Sequence, residues 1–193
     1  HVDLVRPGVP RPGGTWADLG SGSGDFTLAL AELLGPQGIL YSVDSDRTAL
    51  AEQARRMRSR FPETKVHYVC ADFARPMDLP GLDGIVMANS LHFHRKKAPI
   101  VEALRGLLKP GGRLMIADFA APQGGLPFRA ALVLYYRIAN VFYWLLSRSN
   151  LHPIYDYAKL VPRFGFQVEK LALHPLFPGG PRFFQTLITR QTG

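Results

Sequence analysis

The chain has 193 residues, 47% of them hydrophobic, and a formal net charge of +8 at pH 7. This length and composition predict one domain with a sizeable core. The single cysteine excludes an internal disulfide framework and is compatible with a reducing compartment. The positive charge would suit an anionic partner, but it is spread over many arginines and identifies none by itself.

A glycine-rich turn follows the first short strand. Residues 1–14 contain three prolines and three glycines and predict an irregular lead-in. The strand after them ends at Asp18, and a turn with Gly20, Gly22 and Gly24 leads into a helix. Glycine at alternate positions allows a sharp turn and leaves no Cβ between the backbone and a bound molecule. The sequence therefore predicts that a ligand lies against this turn.

Strands and helices then alternate along the chain. Apolar runs bounded by glycine, proline and polar residues predict, in order, a helix ending at Leu34, strand 38–43, a helix capped by Ser45 or Asp46 and running to Arg60, strand Lys65–Cys70, strand Gly84–Ala88, helix Ala98–Leu108, strand Arg113–Ala117, helix Pro153–Arg163, and an antiparallel pair Phe166–Leu173 and Phe183–Arg190. Short, near-continuous apolar runs are typical of strands buried on both faces. We expect an α/β fold in which a seven-stranded, mostly parallel sheet carries helices on both faces and an antiparallel C-terminal strand.

Polar side chains follow the apolar strands at corresponding places, namely Asp18, Asp44, Asp72 and Asn89. The carboxyl ends of parallel strands share one edge, where ligands of open α/β folds bind. The dinucleotide fingerprint G-x-G-x-x-G fails because Asp25 stands where its third glycine belongs, and no Walker A lysine follows. A carboxylate there is a poor neighbour for a pyrophosphate. These residues favour a zwitterionic or cationic ligand.

The chain resembles the class I S-adenosylmethionine-dependent methyltransferases. Four segments carry the resemblance: Asp18–Gly24, Val43–Asp44, Ala71–Phe73 and Leu107–Leu114. They lie within residues 15 to 120. Within this family, the chain resembles the small-molecule members that include the ubiquinone/menaquinone C-methyltransferases. This resemblance is carried by Gly24-Asp25, the run LKPGGRLMIADF and the later run GFQVE. The sequence after Asn89 departs from these members.

The resemblance implies a Rossmann-like class I fold in a single domain over 1–193. Residues 15–120 form its cofactor-binding core, 121–164 a helical acceptor or lid region, and 165–193 a C-terminal strand pair. The implied S-adenosylmethionine site comprises Asp18, Gly20, Ser21, Gly22, Asp25, Asp44, Ser45, Asp72, Phe73, Asn89 and Ser90.

Individual roles are also implied by the resemblance. The glycine turn packs on the methionine part, Asp44 takes the ribose hydroxyls, Asp72 and Phe73 flank the adenine, and Asn89 lies by the sulfonium. Carboxylates are suitable acceptors for ribose hydroxyls and an exocyclic amine. The alternative for each acid is a structural one, in which it caps the following helix or, for Asp18, fixes the turn.

His92, His94 and Asp118 are the candidate catalytic residues. Methyl transfer from a sulfonium is an in-line displacement, and a hydroxyl or carbon acceptor needs a base to remove its proton. In extended backbone the two histidines face the same side; the alternative is a pair of ordinary loop histidines. Asp118 either contacts the acceptor or closes its strand. No third ligand accompanies the His-x-His pair, so a metal site is not expected.

Residues Leu126–Leu146 form a continuous helical candidate that is apolar on most sides. Arg129, Arg137 and Asn140 divide it, so its uncharged run is shorter than a membrane-spanning helix requires. In the family, the insertion after strand five often shapes the acceptor pocket, which favours a lid over an apolar acceptor. A dimer contact, a membrane-surface helix and plain core packing are the alternatives.

The function expected is S-adenosylmethionine-dependent methyl transfer to a small, apolar or aromatic acceptor. The alternative is a binding module that keeps the fold and docks on RNA, a protein or a membrane. Nucleic acid is not the expected partner: the basic run 55–60 is typical of a solvated helix face with Glu52 placed to pair, and no Asn-Pro-Pro-Tyr motif begins at Asn89. A cytoplasmic location is expected, with peripheral membrane contact as an option.

Overall fold

The structure is a computed structural model that describes residues 1–119, 134, 137, 138, 140, 141, 144, 145, 150, 152, 156–175 and 182–192. Its strands are β1 Gly14–Leu19, β2 Gly38–Asp44, β3 Lys65–Cys70, β4 Leu82–Ala88, β5 Leu108–Phe119, β6 Phe166–Pro175 and β7 Arg182–Gln191. Its helices are α1 Val2–Val5, α2 Asp25–Leu34, α3 Arg47–Arg60, α4 Ala98–Leu107 and α5 Tyr157–Leu160, with 3₁₀ turns at Arg6–Gly8, Leu91–Phe93 and Val161–Phe164.

The seven strands form one sheet in the order β3-β2-β1-β4-β5-β7-β6. Neighbours from β3 to β5 are parallel, and β7 runs antiparallel to both β5 and β6. The predicted mostly parallel sheet with an antiparallel C-terminal strand is confirmed. Because the order reverses direction beside β1, the carboxyl ends of β1 and β4 border a crevice of the kind in which such sheets bind ligands.

Both faces of the sheet are covered by helices, as predicted. Along β4, Ile85 and Met87 belong to one buried cluster, and Val86 and Ala88 belong to the other. The first cluster includes residues of α4 and α5, and the second includes residues of α1, α2 and α3. This two-sided burial explains why the strand sequences are apolar at successive positions instead of alternating with polar residues.

The expected lead-in is not wholly irregular. It begins with α1 and a 3₁₀ turn, and Val5 is buried against the α2 face of the sheet. Strands β4 and β5 also begin before the predicted starts, because Leu82 pairs with Leu108 across an irregularity in the register. The Lys-Pro-Gly-Gly segment lies between this pair and the next one, Gly84 with Arg113.

Two predicted helices are only partly described. Of the span 153–163, α5 and the following 3₁₀ turn are helical, and residues 153–155 lie outside the described residues. Most of Leu126–Leu146 also lies outside them, although the seven described positions between 134 and 145 are helical. Within the described part of the chain, no helix combines the length and apolar character needed to cross a bilayer.

Candidate functional site

A cavity of about 810 Å³ lies at the carboxyl edge of the sheet. Eleven of the fourteen predicted site residues line it: Gly20, Ser21, Gly22, Asp25, Asp44, Ser45, Asp72, Phe73, Asn89, Ser90 and His94. The described lining does not include Asp18, His92 or Asp118. The strand-end pattern therefore located the cavity, while these three residues lie behind its wall.

The glycine turn is held against the end of β2. The N–H groups of Gly20 and Ser21 donate to the Val43 carbonyl over 2.8 and 3.1 Å. The Gly22 N–H donates to Asp44 Oδ2 over 2.7 Å, and the Asp46 N–H donates to Asp44 Oδ1 over 2.8 Å. A carboxylate oxygen can accept two hydrogen bonds, so Asp44 organises the turn and keeps acceptor capacity towards the cavity.

The start of α3 places a second acid beside Asp44. Asp46 caps the helix, and its carboxylate accepts from the N–H groups of Thr48 and Ala49. Of the two predicted caps, Asp46 is the one used, and Ser45 lines the cavity. This cap fixes the chain direction directly after Asp44.

A buried polar cluster supports the turn from below. Ser42 Oγ lies 2.7 Å from Ser21 Oγ and 3.0 Å from Gln53 Oε1, and all three residues are buried. A Cβ on Gly24 would collide with the Gln53 side chain, so the glycine leaves the space that Gln53 fills. The sequence analysis missed Ser42 and Gln53. Gln53 resembles an ordinary surface residue of a polar helix, and no local signal distinguishes it.

Asp25 lines the cavity, but its carboxylate is engaged by Arg56. Arg56 Nη2 donates to Asp25 Oδ1 over 2.7 Å, and Nη1 donates to the Ser23 carbonyl over 2.7 Å. Arg56 was expected on a solvated face beside Glu52, and instead it braces the glycine turn. Both side chains of this ion pair are more than a third exposed, so its contribution is chiefly to loop position.

The segment after β4 brings strain and an unpaired hydroxyl to the cavity. Asn89 has φ +52°, the one non-glycine residue with positive φ in the described chain. Such backbone is concentrated at binding sites, and asparagine tolerates it better than most residues. Ser90 is buried, and its Oγ has no hydrogen-bond partner within the described residues. A ligand in the cavity would supply one.

The two candidate histidines diverge, contrary to the extended arrangement. Residues Leu91–Phe93 form a 3₁₀ turn, which sends the two side chains to different neighbours. His94 lines the cavity, its ring edge-on to Phe73 at 4.6 Å, and burial lowers its pKa. His92 is buried, and its Nδ1 lies 2.7 Å from Asp118 Oδ1.

Asp118 is the centre of a buried hydrogen-bond network. Its Oδ1 also accepts from the Phe119 N–H over 2.8 Å, and its Oδ2 accepts from Tyr157 Oη over 3.1 Å. An ionised carboxylate only accepts, so a neutral His92 carries its proton on Nδ1 and leaves Nε2 with a lone pair. This is the arrangement of an oriented base.

Lys97 and Tyr157 are further residues that the sequence analysis missed. Lys97 is 1% exposed, and its Nζ donates to the His94 carbonyl over 2.8 Å. Burial lowers its pKa, while the Asp118 carboxylate acts in the opposite direction. In the sequence, Lys97 ends a basic triplet of the kind usually found on a protein surface. Tyr157 is 39 residues from Asp118, so the sequence around it gives no indication of their contact.

Residues 17–114, about half of the chain, match the family model described as a methyltransferase domain. The chain belongs to this methyltransferase family. It is 31% identical over 120 residues to a 2-phytyl-1,4-naphtoquinone methyltransferase of Nostoc punctiforme, with 62% of this chain and 52% of that protein covered. It is 32% identical over 114 residues to a ubiquinone/menaquinone biosynthesis C-methyltransferase of Shewanella oneidensis, with 58% and 45% covered.

The fold of this methyltransferase domain recurs in a solved structure of low sequence identity. It superposes with a TM-score of 0.70, at 18% identity and over 100% of this chain and 76% of the other, on Burkholderia thailandensis 1,6-didemethyltoxoflavin-N1-methyltransferase, solved with 1,6-didemethyltoxoflavin and S-adenosylhomocysteine. The predicted Rossmann-like methyltransferase fold is confirmed. The chain spans about half the length of the curated relatives named above.

In the methyltransferase domain, Asp18 is a buried acid behind the glycine turn. It is 1% exposed, and Thr27 Oγ1 donates to its Oδ2 over 2.7 Å. Burial raises its pKa from the ordinary 3.8 to about 7; the Thr27 hydrogen bond opposes this rise, and the nearby Asp44 and Asp25 carboxylates add to it. The Thr27 contact ties Asp18 to α2, which favours the structural alternative stated for it.

This raised pKa predicts a pH-dependent stability. Between about pH 4 and 7 the folded state holds a proton on Asp18 that the unfolded state has lost, so the stability contribution falls as pH rises. The interval from 3.8 to about 7 corresponds to about 4 kcal/mol. Urea unfolding at pH 4.5 and 7.5 should show a smaller pH dependence in Asp18→Asn than in the parent. Parallel pH dependences in the two proteins would contradict the assignment.

Proposed function

We propose that this methyltransferase domain binds S-adenosylmethionine and methylates a small, apolar or aromatic acceptor. The supporting observation is the cavity itself, which collects the glycine turn, Asp44, Asp72 and the segment after β4 at one edge of the sheet. The Burkholderia structure, with S-adenosylhomocysteine in its title, supports the choice of cofactor.

Two features of the cavity fit such a group. A Cβ on Gly22, which has φ +51°, would meet no atom within 4 Å, so the backbone there borders open space. The buried Ser90 hydroxyl has no partner in the described part of the chain and lies in the cavity lining. Acids line the cavity, and the described lining contains no phosphate-binding lysine, which suits a cationic sulfonium better than a pyrophosphate.

The residues that would hold the cofactor follow from their positions. Asp44, at the end of β2, would accept from the ribose hydroxyls, and Asp72 with the buried Phe73 ring would flank the adenine. Asn89 and Ser90 would face the sulfonium end. When bound, S-adenosylmethionine supplies an electrophilic methyl group.

His92 is proposed as the base for the acceptor. Its Nε2 lone pair receives the proton that the methyl acceptor loses, and an imidazolium forms. Asp118, whose Oδ1 lies 2.7 Å from His92 Nδ1, stabilises this imidazolium. Tyr157 and the Phe119 N–H hold Asp118 in place. His92 is buried and is not among the described residues that line the cavity, so its action as the base requires the turn Leu91–Phe93 to move and admit the acceptor.

The relatives named for phytyl-naphthoquinone and ubiquinone/menaquinone methylation support an acceptor of aromatic, apolar character. The test is incubation of the full chain with methyl-labelled S-adenosylmethionine and either an organic extract, a polar metabolite extract or RNA. Label should enter an organic-soluble small molecule, and Asp44→Ala should give none. Label in RNA alone, or in none of the three, would contradict the proposal.

A substitution at Gly22 should separate ligand binding from folding. Alanine there costs about 1–2 kcal/mol for left-handed backbone and adds a methyl group at the cavity lining. Gly111→Ala is the matched control, because Gly111 also has positive φ and open space at its Cβ but lies at the opposite edge of the sheet. Both variants should lose similar thermal stability, and only Gly22→Ala should weaken S-adenosylmethionine binding, by about tenfold or more. Equal affinities in calorimetry would place the cofactor elsewhere.

A further inference from the structure

An apolar stripe is exposed on the helical residues between 134 and 145. Leu134, Ile138, Val141 and Leu145 are 59%, 51%, 59% and 55% exposed. With about 100° per residue, these four side chains fall within about 60° of one another around the helix axis. Trp144, 44% exposed, lies at the border of the stripe. Aliphatic side chains concentrated on one exposed helical face mark a contact surface.

The charges of this part of the chain have one sign. Between Phe119 and Tyr155 the sequence contains Arg129, Arg137 and Arg148 and no aspartate or glutamate. Arg137 is exposed on the same helical segment, about 70° from the centre of the stripe. An aliphatic stripe bordered by tryptophan and arginine is the pattern of helices that lie in the interface of an anionic bilayer.

The same charges disfavour a second copy as the occupant. A twofold contact places a surface patch against its own copy, so the arginines of both segments would share one interface without an acid in either segment to pair with them. Anionic lipid headgroups complement the arginines, and acyl chains complement the stripe. We propose that the 134–145 stripe docks the protein on an anionic lipid surface.

This docking would place the candidate site near the bilayer. The segment follows the end of β5, and its His152 N–H donates to the His92 carbonyl over 2.9 Å. The exposed Arg95 and Lys96 lie next to that return point in the sequence. The stripe therefore belongs to a segment that begins after Asp118 and contacts His92 near its end, and Arg95 and Lys96 add positive charge close to that contact in the sequence.

Co-sedimentation of the full chain with vesicles tests the proposal without any cofactor, so its outcome is independent of the proposed function. Vesicles of phosphatidylcholine with phosphatidylglycerol should pellet the protein, and phosphatidylcholine alone or high salt should pellet much less. Ile138→Asp/Val141→Asp should reduce the bound fraction at least tenfold. Both side chains are exposed, so the fold should persist, as checked by thermal melting.

Leu171→Asp is the matched control, because the Leu171 residue is 46% exposed and lies on β6, away from the stripe in the sequence. It should pellet like the parent, and Arg137→Glu should weaken binding to the anionic vesicles. The proposal is overturned if the parent stays in the supernatant with both vesicle types, or if Ile138→Asp/Val141→Asp binds like the parent. It is also overturned if sedimentation velocity shows a dimer that this double variant dissociates while vesicles are not bound.

Discussion

Replacing Asp44 with alanine is expected to lower the affinity for S-adenosylmethionine at least about 100-fold, since two charge-assisted hydrogen bonds contribute about 1.5–3 kcal/mol each. The variant loses the acceptors of the Gly22 and Asp46 N–H groups, so the turn and the start of α3 lose their common anchor. It also loses the proposed partner of the ribose. Isothermal titration calorimetry with the parent and the variant measures the difference.

Asp83→Ala is the matched control for this experiment. Asp83 also accepts from a backbone N–H, that of Thr15 over 2.8 Å, but it lies by the opposite end of β1. Its removal should alter stability and leave the affinity for S-adenosylmethionine near the parent value. An Asp44→Ala variant that binds as tightly as the parent would remove Asp44 from the site.

Replacing His92 with alanine is expected to lower kcat by about 10²–10⁴-fold, the usual range for loss of a general base. The affinity for S-adenosylmethionine should change little, because His92 is not among the described residues that line the cavity. His94→Ala should show the reverse pattern: its ring packs on Phe73 inside the cavity, so binding should weaken more than turnover.

Asp118→Asn extends the test to the orientation of His92. The amide keeps the size of the carboxylate but no longer stabilises an imidazolium, so kcat should fall nearly as far as in His92→Ala. Tyr157→Phe removes only the 3.1 Å hydrogen bond to Asp118 and should cost less. Full turnover by His92→Ala would exclude it as the base, and an equal loss of cofactor binding would indicate a structural role.

Much of the fold was predictable because strands buried on both faces have nearly continuous apolar sequences. The runs around Val43 and Val86 are largely apolar, and their ends are marked by Asp44 and Asn89. Strand boundaries at β4 and β5 were less predictable, since Leu82 and Leu108 are strand residues only by virtue of pairing with each other. Local composition does not encode such a pairing.

The candidate site was predictable where residues follow strands, and not where contacts span elements. The glycine turn and the strand-end acids are local patterns. Gln53 and Lys97 are polar residues buried by tertiary packing. The sequence around each of them does not indicate this burial. The 3₁₀ turn at Leu91–Phe93 likewise decides that His92 meets Asp118 while His94 meets the cavity. A two-residue spacing alone indicates neither partner.

We propose that the glycine turn serves the methionine side of S-adenosylmethionine and not a phosphate. Arg56 Nη2 donates to Asp25, and two further acids line the cavity: Asp44 at the end of β2 and Asp72 after β3. A pyrophosphate would face these carboxylates without a compensating lysine among the described lining residues. We therefore expect the cavity to discriminate between ligands by charge.

Calorimetric titration of the full chain with S-adenosylmethionine, S-adenosylhomocysteine, ATP and NAD tests this assignment. We expect one site per chain for the first two compounds, with no measurable heat from ATP or NAD at the same concentrations. Binding of ATP or NAD with equal or greater affinity, or no binding of S-adenosylmethionine, would contradict it.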